Sequence, residues 1–159
     1  MQALDERAHI EFLFLANHVE AINGLLYISG GGWTDHRRLI RPNAPLPPTH
    51  LAIGLSIAIP WMETNKLHRV DVHVEDQDAT LHLPVFDAQF NMGRPPTLPP
   101  GEVQHQALAM ATDFVFPKGG SYRLVARLDG DADVKTWSFR LHDVPAPPLP
   151  PPPQAPRMP

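Results

Sequence analysis

The chain has 159 residues, a formal net charge of -4 and no cysteine. That length suits one domain with a sizeable core. The acidic balance leaves no basic footprint for a nucleic-acid backbone, and the 13 Lys and Arg are spread along the chain. Without cysteine there is no disulfide framework, no thiolate nucleophile and no Cys-ligated metal.

Near the start, Ile10 to Ala16 is the longest early apolar run, far short of the roughly 20 residues that span a bilayer. A cytoplasmic protein with no membrane and no nucleic-acid partner is expected. Arginine exceeds lysine, and Ala and Pro are abundant, which suggests a GC-rich bacterial source.

Asn23-Gly24 is a two-residue hairpin signal. Centred there, Val19 and Ala21 fall opposite Ile28 and Leu26, and Glu20 falls opposite Tyr27. The segment before it is apolar on both faces at Phe12 to Leu15. The next stretch, Gly30-Gly31-Gly32-Trp33, raises two readings. A phosphate loop needs a following helix and a GK[ST] or GxGxxG spacing, and neither is present. A strand-end kink where backbones approach closely, with Trp33 folded over the core edge, fits better. WTDHRRLIRP then allows at most about two helical turns before Pro42. Arg37 and Arg38 in this segment read either as contacts for an acidic partner or phosphate, or as a solvated basic loop.

After the loop RPNAPLPP, period two takes over. Leu51, Ile53, Leu55, Ile57, Ile59 and Trp61 share one face, with Ala52, Gly54, Ser56 and Ala58 on the other. The segment PWMETNKLH gathers Trp61, Glu63, Asn65 and His68. It reads as a recognition loop with an aromatic platform, or as a turn capped by Thr64 and Asn65 with Trp61 in the core. Val70, Val72 and Val74 alternate next, answered by Leu81, Leu83 and Val85. A turn at Gln77-Asp78 would set His73 directly opposite His82 on the outer face, beside Asp71. Two imidazoles and a carboxylate suit zinc or nickel, against the alternative of a solvated polar face. The apolar parity changes after Phe86, which requires a bulge near Val85 to Asp87.

Beyond the loop RPPTLPPG, strands fit Val103 to Phe116, Tyr122 to Leu128 and Trp137 to Leu141. The acidic turns EDQD and DGDAD resemble partial calcium loops, but the EF-hand glycine and terminal Glu are not in position, and Asp and Gly are ordinary hairpin residues. No GxSxG elbow accompanies the serines. About eight strands without a long helical period predict an all-β, antiparallel two-sheet β-sandwich of Ig-like or C2-like type over residues 1–144. Residues 145–159 carry nine prolines and predict a disordered polyproline II tail reaching about 45 Å.

FLANHVEAINGLLYISGGGW, IPWMETNKLHRVDVHVEDQD, GRPPTLPPG and FPKGGSYRLVARLDG together resemble an uncharacterised family of small bacterial, chiefly actinobacterial, β-sandwich proteins, a domain of unknown function. The resemblance covers roughly residues 8 to 143. It implies a fold and no activity. In that family a small polar residue ends the first strand and a Gly-rich stretch ends the second, as at Asn17 and Gly30 to Gly32. The resemblance implies that relatives tend to have Asp-Gly in the next hairpin, where this chain has Asp78-Ala79.

The expected function is a non-enzymatic binding or assembly module with a protein partner and no cofactor, its contacts drawn from Trp61, Glu63, Asn65, His68, Arg37 and Arg38. The alternative is a small-ligand or metal-binding sandwich using His73, His82 and Asp71 or the acidic turns. A homo-oligomer is also expected. Phe12 to Leu15 are apolar on both faces and the small-residue face opposite Leu51 to Ile59 needs a cover, which a second protomer would supply.

Overall fold

A computed structural model describes residues 7–151. These residues form ten strands and one short 3₁₀ turn (Trp61–Glu63). The strands are β1 (His9–Ala16), β2 (His18–Ile22), β3 (Leu25–Ser29), β4 (Asp35–Ile40), β5 (Thr49–Pro60), β6 (Leu67–Asp76), β7 (His82–Asn91), β8 (Val103–Phe114), β9 (Gly120–Leu128) and β10 (Asp133–Pro145). One sheet has the order β1-β5-β8, a second β4-β10-β9-β6-β7, and β2 and β3 form a separate hairpin. The all-β expectation holds, with ten strands rather than eight.

The inner faces meet in a single core. Leu51, Ile53, Leu55, Ile57 and Ile59 of β5 pack with Val70, Val72 and Val74 of β6, and with Leu124, Ala126 and Leu128 of β9. Each fully buried Leu or Ile contributes about 1.5–3 kcal/mol relative to exposure, so this alternation is what holds the layers together. Phe116, Tyr122 and Phe139 close one end, their ring centroids 4.6–6.0 Å apart.

Two strands were not expected as separate elements. The first apolar segment breaks at Asn17, so β1 stays in the three-stranded sheet while β2 leaves it. The second is β4, where at most two helical turns were expected. It pairs in parallel with β10, from Asp35 beside Arg140 to Ile40 beside Pro145, making the five-stranded sheet mixed. Tertiary anchoring through Arg38 outweighs the local pattern here. At the same edge, Pro145 belongs to β10 and the Ala146 N–H donates to the Ile40 carbonyl at 2.8 Å. The sheet therefore runs past the expected boundary at 144. The part of the expected tail from 152 to 159 lies outside the described residues.

The break at Asn17 also accounts for the small-residue face of β5. The hairpin folds back over the three-stranded sheet, packing Val19 and Leu26 against Ala16, Ala52 and Ala109. The Phe14 ring lies over Gly54, and Ser56 donates to Glu11 at 2.7 Å. The cover once assigned to a second protomer thus comes from the chain itself.

The triple glycine is a backbone crossing. Gly30 (φ +61) leaves no room for a Cβ beside the Asn17 side chain, Gly31 is closed off by Ile28, and the Gly32 N–H donates to the Leu15 carbonyl at 2.7 Å. Trp33 then packs edge-on against Phe139, and its carbonyl accepts from the Trp137 indole N–H.

Candidate functional site

The β2–β3 hairpin is built by a tight turn. Asn23 and Gly24 both take positive φ, as a type I′ turn requires. The register follows, with Val19 beside Ile28, Glu20 beside Tyr27, Ala21 beside Leu26 and Ile22 beside Leu25. One face holds Val19 and Leu26 and packs on the sheet below. The opposite face carries Ile22, Leu25 and Tyr27, which are 45%, 62% and 53% exposed. Two of its polar side chains, His18 and Glu20, lie together, with His18 Nε2 3.1 Å from a Glu20 carboxylate oxygen. The result is an exposed apolar strip on the hairpin's outer face. The alternation announced this face, but sequence reasoning attended to the hairpin's inward side and missed it.

The loop after β5 is an internal brace. Arg94 stacks over the Trp61 ring at 3.5 Å and donates to the Trp61 carbonyl and to the Thr64 hydroxyl. Asn65, at φ +61, donates its backbone N–H to the Met92 carbonyl and accepts from the Arg94 N–H. Glu63 pairs with Lys66. His68 is buried, with Nδ1 2.8 Å from Asp129 and Nε2 3.0 Å from the Glu63 carbonyl. Burial works against its charge, but the Asp129 carboxylate and the Glu63 carbonyl outweigh it and raise its pKa above the usual value. Trp61, Glu63, Asn65 and His68 are therefore brought together with the turn-capping geometry of the second reading, but Trp61 is half-buried under Arg94 and not in the core, because the chain leaves β5 for the 3₁₀ turn at that residue. His68 is inaccessible to a partner.

Arg37 and Arg38 separate. Arg37 is exposed on the outer face of β4, whereas Arg38 points inward and is 2% exposed. Its guanidinium grips Asp143 through Nε and Nη2 at 2.8 and 3.0 Å, and donates to the Phe116 carbonyl at 2.7 Å. The Arg38 contact holds the Asp143 carboxyl below its usual pKa. Placing Arg38 in a solvated basic loop is thus corrected, because period two on β4 turns it into the core edge.

The His73/His82 register is also corrected. His73 lies opposite Pro84, and His82 lies opposite Glu75. The Asp76 carboxylate accepts from the Thr80 and Leu81 N–H groups and the Thr80 hydroxyl, so the loop is longer than a two-residue turn. The irregularity between Val72 and His73, opposite Phe86 and Pro84, leaves Val85 as the extra residue, within the expected stretch. The imidazoles still meet diagonally, with ring centroids 4.3 Å apart. His73 is buried between Asp71 and Glu75, at 3.6 and 3.5 Å. Among the described residues no three His, Asp or Glu side chains converge as a metal set. The two acidic turns stand at opposite ends of β6, roughly 20 Å apart, because Val70 pairs with Leu128 and Asp76 with Tyr122. Several of their carboxylates are occupied internally: Asp76 holds its own loop, Asp129 accepts from the Arg69 N–H, and Asp133 from the Ile10 N–H. No helix among the described residues is long and apolar enough to cross a membrane.

Fold and surface define a two-layered all-β domain with an added hairpin. Residues 11–141 match the model of a family of unknown function, DUF6941, and the chain belongs to that family. No functionally curated protein matches it. Among solved structures it is similar to a β-glucosidase from Kluyveromyces marxianus, at 11% identity and a TM-score of 0.37, over 65% of this chain and 14% of that one. The chain thus spans about a seventh of that protein's length.

Proposed function

We propose that this chain is a non-enzymatic binding or assembly module of a bacterial cytoplasm, and that its contact surface is the outer face of the β2–β3 hairpin. The observation that carries the reading is the exposure of Ile22, Leu25 and Tyr27 side by side on the outer face of the hairpin. Large apolar side chains clustered in this way, with an aromatic among them, are the composition of an interaction surface. Leaving them in water forfeits the burial free energy that a partner would recover.

The test is photo-crosslinking of the full chain in its native cells, with the photoreactive residue at Glu20, directly beside Tyr27. A discrete adduct that disappears with Leu25→Asp is the expected result. An adduct pattern indifferent to Leu25→Asp overturns the assignment of this face.

A further inference from the structure

We propose that the partner of the hairpin is a second copy of this chain, joined edge to edge through β3 in an antiparallel, two-fold arrangement centred on Tyr27. The proposal rests on the hairpin being the contact element and places the second copy along its free edge, beside the exposed face.

The free backbone groups set the geometry. Ile22 and Leu25 flank the two-residue turn and so exchange both hydrogen bonds. By alternation Tyr27 and Ser29 also bond inward to β2, which leaves the N–H and C=O groups of Leu26 and Ile28 on the outer edge. Among the described residues β3 is paired to β2 alone, and β2 is the strand packed against both β5 and β8. β3 is the outboard strand.

Natural sheet edges are blunted by charge, proline or a bulge. Here β4 carries Asp35 and Arg37, β7 carries Pro84 and a bulge, and β1 carries Glu11 and a bulge. β8 carries His105 and Asp113, and β2 carries His18 and Glu20. β3 reads Leu-Leu-Tyr-Ile-Ser and has none of these.

An identical strand complements it. With the axis at Tyr27, Leu26 of one copy faces Ile28 of the other, so the four outward groups find partners. Tyr27 meets its own copy, no like charges are opposed, and the Ile22–Leu25–Tyr27 strip continues across the axis. Edge pairing covers Leu26 and the flanks of Leu25, Tyr27 and Ile28 along β3 and leaves Ile22 on β2 uncovered, so the pair buries well under about 1,000 Å², the size of a weak, transient contact. The expected dimer is accordingly weak, with a dissociation constant on the order of tens of micromolar.

The absence of cysteine allows a direct test. In full-length Tyr27→Cys the only two thiols of a pair face each other across the axis. Cα atoms of a non-hydrogen-bonded antiparallel pair stand about 4.5 Å apart, within disulfide reach. The control Leu25→Cys places its thiols on Cα atoms about 14 Å apart. Disulfide dimers should form at least about tenfold faster for Tyr27→Cys in a glutathione buffer. Sedimentation of the unmodified chain should show a monomer–dimer equilibrium that Tyr27→Lys, a change at an exposed position, weakens by at least about tenfold. Equal oxidation rates at 25 and 27, with a single-chain mass up to hundreds of micromolar, overturn the self-pairing. If a different protein is then still crosslinked at Glu20 in a Leu25-dependent way, the contact surface stands without it. If nothing is crosslinked, both readings fall.

Discussion

Phe14 on β1 occupies the space that a side chain on Gly54 of β5 would need. Gly54 sits in the buried stretch of β5 that follows His50, where the Phe14 ring takes the place of its Cβ. Gly54→Ala should push the Phe14 ring off the sheet and destabilise the domain by about 2–3 kcal/mol, the cost of overpacking a core position. In urea unfolding the double variant Gly54→Ala, Phe14→Ala should be less destabilised than the sum of its parts, by about 1–2 kcal/mol. Strict additivity would show that the ring and the glycine do not share this space.

Arg38 invites the opposite error, since a guanidinium in a basic segment looks like a surface contact. It is 2% exposed and fully engaged, so Arg38→Ala should cost about 2–3 kcal/mol by leaving the Phe116 carbonyl without its side-chain donor and Asp143 with only the Gly119 N–H and solvent. Arg38→Lys should recover only part of this, because an ammonium cannot reproduce the two-pronged contact. Arg37→Ala, on the exposed side of the same strand, should change the urea midpoint by no more than about 0.5 kcal/mol in equivalent stability. A loss of partner binding through Arg38 would therefore report unfolding, whereas one through Arg37 would report the surface.

Much of this architecture was legible because period two is a local property. The alternation of Val70, Val72 and Val74, the register around Asn23-Gly24 and the bulge near Val85 all follow from it. The apolar pattern did not place the break at Asn17, because a segment apolar on both faces does not say where it changes sheet; only the family resemblance put a strand end there. The role of β4 depends on Asp143, 105 residues away from Arg38. His73 and His82 were displaced by a side chain, the Asp76 carboxylate, which lengthens a loop that residue counting took as a two-residue turn. The hairpin's exposed face was encoded in the alternation, yet a pattern of apolar residues does not say which of its two faces stays in water.

The same loop carries a strained residue. Ala79 is held at φ +55, a conformation that costs a non-glycine residue about 1–2 kcal/mol. Ala79→Gly should relieve this strain while adding freedom to the unfolded chain, for a net gain of about 0.5–1 kcal/mol. A raised melting temperature with an unchanged urea slope is the expected result. A loss of stability would mean that the Ala79 side chain makes contacts outweighing its backbone cost.

His68 ties stability to pH. Both of its ring nitrogens face acceptors, the Asp129 carboxylate and the Glu63 carbonyl, so only the protonated ring satisfies the two together. Burial disfavours the charge, but these partners prevail and its pKa in the folded chain lies above the ordinary 6.5. A group whose pKa rises on folding contributes its full stabilisation below the unfolded value and loses it as pH climbs through the folded one. The domain should therefore lose part of its stability between about pH 6.5 and the alkaline side of neutrality. Asp129→Asn keeps an acceptor for the Arg69 N–H while removing the carboxylate charge, and it should destabilise the domain more at pH 6 than at pH 8.5. Melting curves of the two proteins that ran parallel across this range would show that His68 does not change its protonation on folding.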